Sequence, residues 1–70
     1  MYVIEVEDKY YVKKVIIGTD DEGRGAFVGI SEDIDDALLF DGIEGLFVME
    51  FLKRCDGYIK FRYVEVEVDG

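Results

Sequence analysis

The sequence contains no histidine, asparagine, glutamine, tryptophan or proline, and it has one cysteine, Cys55. Without histidine, the usual general base near neutral pH is absent, and no Ser–His or Cys–His nucleophile pair can be assembled. A zinc site is disfavoured because zinc is held mainly by histidine and cysteine. Recognition of adenine bases by side-chain amides is excluded, because it needs Asn or Gln. We therefore expect no enzymatic activity, no cofactor and no metal.

Other absences concern the compartment. A single cysteine cannot form an internal disulfide, which is atypical of small secreted scaffolds. Residues 1–7 show no basic region followed by an apolar run, so no signal peptide is expected. No apolar run reaches the roughly 18 residues that cross a bilayer. These features predict a cytoplasmic protein.

What is present favours one small folded domain over residues 1–70. Half of the residues are hydrophobic, and five Tyr and five Phe are among them. Disordered chains are poor in such residues, so a packed core is expected. At this length the core is thin, because a small domain buries only about 60% of its unfolded surface.

Alternating or β-branched runs predict four strands. Asp8-Lys9 is predicted as a tight turn, and the glycine-rich segment Gly18–Gly25 as a loop. The last run changes phase near Tyr63-Val64, which predicts a bulge. Ser31 is the expected N-cap of a short acidic turn through Asp36. The predicted strands span residues 2–7, 10–17, 26–30 and 58–68.

One helix is predicted from Asp41 or Gly42 to Cys55. Asp41 and Glu44 have the spacing of a capping box, and basic residues fill the last turn. Gly57 is expected to end the helix in the left-handed conformation. A helical periodicity of about 100° per residue places six residues on the predicted core face: Ile43, Phe47, Val48, Phe51, Leu52 and Cys55.

The element order is therefore β-β-β-α-β. This order predicts an α+β fold, with a mainly antiparallel sheet of about four strands and one helix packed on one face. Leu46 and Met49 fall outside the predicted core face of the helix. They are either second contacts to the apolar segment Ala37–Phe40 or an exposed apolar spot. Because a small domain has a thin core, these two residues are candidate contacts of a homodimer.

The net charge of −9 is concentrated in one part of the chain. Residues 20–44 hold nine acids and one base, so their charge is −8, whereas the rest of the chain carries −1. Binding to a phosphate backbone or to an anionic membrane depends on clustered Lys and Arg, so both are disfavoured. The acidic segment favours a basic protein surface as partner.

Several acidic residues in this segment are the candidate partner contacts, replacing phosphates in hydrogen bonds to Arg and Lys. The competing interpretation is that the charge only keeps a small protein soluble. A third interpretation is a Ca²⁺ or Mg²⁺ site at Asp33, Asp35 and Asp36, although the spacing departs from a calcium-binding loop. The candidate contacts are Asp20, Asp21, Glu22, Glu32, Asp33, Asp35 and Asp36.

Two further features of the sequence bear on possible chemistry. The glycine-rich segment Gly18–Gly25 lacks the Lys-Ser/Thr end of a phosphate loop, and its three acids would repel phosphate, so a hairpin loop is favoured. Cys55 lies on the predicted core face, where a buried small hydrophobe is the default.

The layout resembles small acidic orphan proteins of phages that infect Gram-positive bacteria. The resemblance is carried by Tyr2-Val3-Ile4, Lys9-Tyr10-Tyr11-Val12, Asp33-Ile34 with Ala37 and Phe40, and Val64-Glu65-Val66. Some small acidic phage proteins inhibit host defence enzymes, including CRISPR effectors, by masking basic nucleic-acid sites. The resemblance implies such a role in the host cytoplasm. It transfers no functional residues, and the helix and glycine-rich segment match no motif of these proteins.

Two functions from different classes follow. The first is a non-enzymatic interaction protein that uses its acidic surface to bind and block a basic nucleic-acid-binding protein. The alternative is a dimeric assembly module, joined through the helix, whose charge serves solubility only.

Overall fold

The computed structural model describes residues 1–20 and 23–67 and confirms the α+β prediction. Four antiparallel strands form one sheet in the order β3-β2-β1-β4, and one helix packs on it. No helix in the described part of the chain is long and apolar enough to cross a membrane. The elements are β1 Tyr2–Val6, β2 Tyr10–Asp20, β3 Gly23–Ser31, a 3₁₀ turn Ile34–Asp36, α1 Gly42–Cys55 and β4 Phe61–Glu65.

The turn between β1 and β2 lies one residue earlier than the predicted Asp8-Lys9. Glu7 and Asp8 adopt φ values of 55° and 59°, and Lys9 N–H donates to Val6 O over 3.2 Å. Two consecutive left-handed residues suit the twist of a hairpin, but they cost non-glycine residues backbone energy. Contacts to the start of β4 hold the turn in place, since Glu7 N–H donates to Lys60 O over 2.9 Å.

The prediction of a loop over Gly18–Gly25 is wrong, because β2 and β3 continue as a paired hairpin through most of this segment. Gly18 pairs with Gly25, Thr19 with Arg24 and Asp20 with Gly23. Glycine retains its backbone N–H and C=O, so a neighbouring strand can satisfy these groups despite weak strand propensity. The register shifts between Val12 and Lys14, and this bulge lets Val12 and Val15 both pack toward the core.

The segment from Ala37 to Phe40 fills the gap where β1 and β2 separate. Tyr2 and Phe40 exchange two backbone hydrogen bonds of 2.9 Å, and Leu38 N–H donates to Val12 O over 3.0 Å. Phe40 packs against the buried cluster, as an apolar return to the core requires. Leu38 and Leu39 remain exposed.

β4 is shorter than predicted and contains no bulge. Its register against β1 runs without interruption from Tyr2↔Glu65 to Val6↔Phe61. The change of phase in the apolar pattern of β4 has another cause, because both faces of the sheet are covered at this strand. Phe61 and Tyr63 pack against the cluster under α1, whereas Val64 pairs with Val3, which is fully buried on the opposite face.

The predicted core face of α1 is correct for Leu52, which is buried, and for Val48, which packs against the buried cluster. It is wrong for Ile43, Phe47 and Cys55, which are exposed. The buried residues of α1 are Gly45, Met49 and Leu52, and the latter two join a cluster with β-strand residues Ile4, Val6 and Val12. Ile43 and Phe47 are each 73% exposed. A Cβ on Gly45 would overlap Tyr63 Oη and would lie 2.6 Å from Phe40 Cβ. The helix therefore packs through the face whose small residue permits close approach.

The helix boundaries agree with the prediction, but the chemistry of its ends does not. Asp41 is the N-cap, yet its side chain makes no capping hydrogen bond. Its main-chain oxygen accepts instead from Tyr63 Oη over 2.8 Å and from Gly45 N–H over 3.1 Å. Gly57 does not take the left-handed conformation, because Asp56 ends the helix in an extended one. Cys55 is exposed, contrary to the expected buried position.

Candidate partner-binding surface: the acidic turn and its cleft

Four exposed acids follow β3 and form what we call the acidic turn: Glu32, Asp33, Asp35 and Asp36. The N-cap of the 3₁₀ turn is Asp33, not the predicted Ser31, because Asp33 Oδ1 accepts from Asp35 N–H over 2.9 Å. Ser31 Oγ instead accepts from Asp33 N–H over 3.1 Å and donates to Asp36 Oδ2 over 2.8 Å. Side chains one or two residues from a turn satisfy its backbone in this way, and the result is an ordered turn.

The acidic turn retains acceptor capacity. A carboxylate has two oxygens with about four lone-pair sites. Asp33 and Asp36 each use one oxygen, and no hydrogen bond between described residues involves the Asp35 carboxylate. Glu32 lies 3.6 Å from Lys9 Nζ, and both side chains are well exposed. An ion pair in that setting contributes little, so Glu32 can exchange Lys9 for another cation.

A cleft of about 270 Å³ lies beside the acidic turn, on the sheet face opposite α1. Val3 from β1, Val66 after β4 and three apolar residues of the 34–39 segment line it. The carboxyl-bearing residues Asp35 and Glu67 also line it. Lys and Arg place their aliphatic stems on apolar surface while the charged head reaches polar groups. The cleft offers both features to one basic side chain.

The structure does not bring all predicted contacts together. Asp20 ends β2 and pairs with Gly23 at the far end of the hairpin, whereas Ser31 pairs with Tyr11 near its base. At about 3.4 Å per residue, the Asp20 backbone lies roughly 27 Å from the acidic turn. Asp21, Glu22 and the side chain of Asp20 lie outside the described part of the chain. The acidic turn and cleft therefore form the candidate surface that can be described.

Several bases of the chain pair with other acids. Lys60 Nζ lies 2.9 Å from Asp8 Oδ2, and Arg62 Nε lies 3.7 Å from Glu5 Oε1. The hydrogen bond and the charge of Lys60 lower the pKa of Asp8 below its ordinary value. These pairs lie at the β1–β2 turn and along β4. Asp35 and Glu67, by contrast, form no ion pair with any described residue.

The sequence did not predict the cleft, nor the position of Glu67 beside the acidic turn. The signal was present, because the change of phase at Tyr63-Val64 reflects an apolar residue on each face of β4 rather than a bulge. Among residues 1–20 and 23–67, no group of three acidic or thiol side chains is arranged to hold a metal ion. No protein-family model, curated protein or solved structure matches the chain.

Proposed function

We propose that this protein is a non-enzymatic interaction protein that binds a basic protein surface through the acidic turn and its cleft. The observation that carries the proposal is that hydrogen bonds to the Asp33 and Asp36 carboxylates hold the acidic turn in one conformation, while oxygens of its exposed carboxylates remain available to a partner. An ordered acceptor set loses less conformational entropy on binding than a mobile one. Hydrogen bonds from Arg or Lys to carboxylates are among the stronger ones in proteins.

The partner class follows from the charge. Clustered Lys and Arg typify surfaces that bind nucleic-acid phosphates, so the acidic turn would compete with DNA or RNA for such a surface. A bound copy of this protein would then block the partner. The resemblance to small acidic phage proteins makes a host defence nuclease one candidate target.

The test is capture of partners from nuclease-treated bacterial lysate by the tagged protein at about 50 mM and about 500 mM salt, since screening weakens exposed charge pairs. We expect a partner that is retained only at low salt. Double-stranded DNA or RNA added to the purified complex should release the protein. The informative variant is Asp35→Lys, because the Asp35 side chain makes no hydrogen bond that orders the turn.

The matched control is Glu50→Lys, which changes the net charge equally at an exposed position on α1. We expect Asp35→Lys to weaken binding at least about tenfold, as for a central charged contact, and Glu50→Lys to change it little. Equal losses would mean that net charge alone attracts the partner. Salt-resistant binding, or a complex that nucleic acid does not disturb, would contradict the proposal.

A further inference from the structure

One edge of the sheet is open to a further strand. β3 is the outer strand in the order β3-β2-β1-β4, and no described residue pairs with its outer side. The N–H and C=O groups along such an edge can pair with another extended chain, and proteins commonly protect an edge with charged residues, proline or a short strand. β3 is nine residues long, and residues 26–31 contain neither proline nor a charged residue. This part of the edge therefore carries none of those protections.

The opposite edge of the sheet differs. β4 has five residues, two of which, Arg62 and Glu65, are charged. Arg62 lies 3.7 Å from a carboxylate oxygen of Glu5 and 3.9 Å from one of Asp8. Short length and charge are the features that discourage strand addition. β3 is therefore the edge at which we expect an added strand.

Apolar surface lies on both faces of the sheet at β3. Val28 and Ile30 line a second cleft, of about 370 Å³, which we call the helix-end cleft because Leu52 and Cys55 of α1 also line it. Phe27 alternates with Val28 and points to the other face, where its side chain is 78% exposed. Successive side chains of an added strand also point to alternate faces. One set would meet the helix-end cleft, and the other would meet Phe27.

The charge at the end of β3 indicates which kind of strand fits. The acidic turn begins at Glu32, directly after Ser31, the last residue of β3. A strand with Lys or Arg at this end would place positive charges beside the acidic turn. The strand pairings of the sheet are antiparallel, and an antiparallel added strand begins where β3 ends. The basic residues therefore belong at the amino-terminal end of the added strand.

A second copy of this chain fits the edge poorly. Asp20, Asp21 and Glu22 directly precede β3 in the sequence. An antiparallel copy would bring this acidic segment to the acidic turn, and a parallel copy would bring the two acidic turns together. Like charges placed opposite one another disfavour a partner. Met49, one of the expected homodimer contacts, is only 7% exposed and lies in the core, contrary to that expectation.

We propose that β3 binds an extended segment of a basic partner as a fifth, antiparallel strand, whose first residues are Lys or Arg and lie beside the acidic turn. The inference rests on the proposed function, because the acidic turn belongs to the same partner-binding surface, and it adds the conformation and direction of the bound segment. In this mode of recognition the main-chain hydrogen bonds supply affinity, and the alternate side chains supply specificity.

The direction of the strand can be tested with two peptides. In the first, three basic residues precede six alternating Val and Thr residues; in the second, the same basic residues come last. Fluorescence anisotropy of the labelled peptides, titrated with the full chain to about 1 mM, measures weak dissociation constants. We expect the basic-first peptide to bind about fivefold more tightly, because parallel pairing is weaker per residue. Equal affinities, or no binding of either peptide at about 1 mM, overturn the proposal.

Methylation of peptide nitrogens tests whether the bound peptide pairs as a strand. The N–H groups of alternate residues in a strand point to the same side, so methylation of either the Val or the Thr nitrogens blocks only one side. We expect one methylated peptide to bind at least about tenfold more weakly, through lost hydrogen bonds, and the other to bind as the parent does. Equal affinities of the two would mean that charge alone holds the peptide, which would overturn the inference and leave the proposed function standing.

Nuclear magnetic resonance of the isotope-labelled chain locates the bound peptide. Amide signals of residues 27–31 and of the acidic turn should shift, whereas those of β4, the other edge, should not. Phe27→Ala should weaken binding about threefold, as the loss of one cross-strand contact does. Tyr58→Ala is the matched control, because Tyr58 is 99% exposed and lies outside β3. It should leave binding unchanged.

The outcomes separate this inference from the proposed function. Shifts confined to the acidic turn, or larger at β4 than at β3, overturn strand addition at β3 but not the role of the acidic turn. Failure of the proposed function appears elsewhere, as capture of the lysate partner that Asp35→Lys leaves unchanged.

Discussion

Both faces of α1 carry apolar side chains, but they differ in how closely they can approach the sheet. The inward face is built around Gly45 with Met49 and Leu52, whereas the outward face presents Ile43 and Phe47. Tyr63 and Phe40 occupy the space that a larger residue at position 45 would need. The close approach at Gly45 therefore distinguishes the packed face of this helix from the exposed one, although both carry large apolar side chains.

The largest difference between the two faces should appear on truncation to alanine. Leu52 is 2% exposed, so Leu52→Ala removes buried methyl groups and leaves a cavity; we expect a loss of about 3 kcal/mol in the free energy of unfolding. Phe47→Ala should cost less than about 0.5 kcal/mol in the monomer, because the side chain has few contacts to lose. Urea denaturation measures both. Similar costs at the two positions would show that the outward face packs within the monomer.

Gly45 should tolerate a larger side chain less well than an exposed glycine does. Alanine at an exposed helix position would stabilise α1 by about 1 kcal/mol relative to glycine. At Gly45 the added methyl group meets Phe40 and Tyr63, so we expect Gly45→Ala to destabilise the protein by about 2 kcal/mol, as overpacking does. The matched control is Gly57→Ala, where nothing lies within 4 Å of the new methyl group. Stabilisation by Gly45→Ala would contradict the close approach.

The smallest expected effect is that of Tyr63→Phe. The phenol stacks on Tyr2 with ring centroids 4.6 Å apart and donates to the main-chain oxygens of Asp41 and Gly42. Removal of the hydroxyl should cost about 1 kcal/mol at neutral pH, the usual value of a hydrogen bond. Phenylalanine keeps the apolar contacts, so the difference isolates the link between β4 and the start of α1.

The same residue gives this contact a pH dependence. Burial raises the pKa of Tyr63 above its ordinary value, and the charges of Tyr2, Asp41 and Glu44 act in the same direction. A raised pKa in the folded state means that the stabilisation is complete below about pH 10 and is lost as the pH rises through the folded pKa. Between about pH 8 and about pH 11, a range that brackets the ordinary tyrosine pKa, the melting temperature should therefore fall more steeply for the wild-type chain than for Tyr63→Phe. Parallel curves would show that the phenol does not titrate differently on folding.

Local patterns were sufficient for much of the fold. Alternation in β1, β-branched residues in β2 and the acid-to-base gradient of α1 are short-range features, and each predicted its element. The bounds of α1 followed from Asp41 and from Lys53 and Arg54 near the end of the helix. By contrast, the segment Gly18–Gly25 looks like a loop by composition, and only its pairing across the hairpin extends the strands.

The acidic turn was predictable in part. The cluster Glu32, Asp33, Asp35 and Asp36 is visible in the sequence, but the cleft beside it depends on Glu67, which lies more than thirty residues later. The antiparallel pairing of β4 with β1 carries Val66 and Glu67 to this place, since the register sets Glu65 opposite Tyr2. The conformation of the acidic turn itself does not depend on this register, because local hydrogen bonds of Ser31 and Asp33 fix it.

The sequence alone settled the class of the fold, the place of the helix and the concentration of negative charge, because these depend on periodicity, caps and composition over a few residues. The tertiary structure decided which face of α1 is buried, since that choice depends on Tyr63 and Phe40 meeting Gly45. It also decided where acidic residues distant in the chain lie relative to one another. A hairpin holds Asp20 and the acidic turn far apart, and a strand pairing brings Glu67 beside the turn.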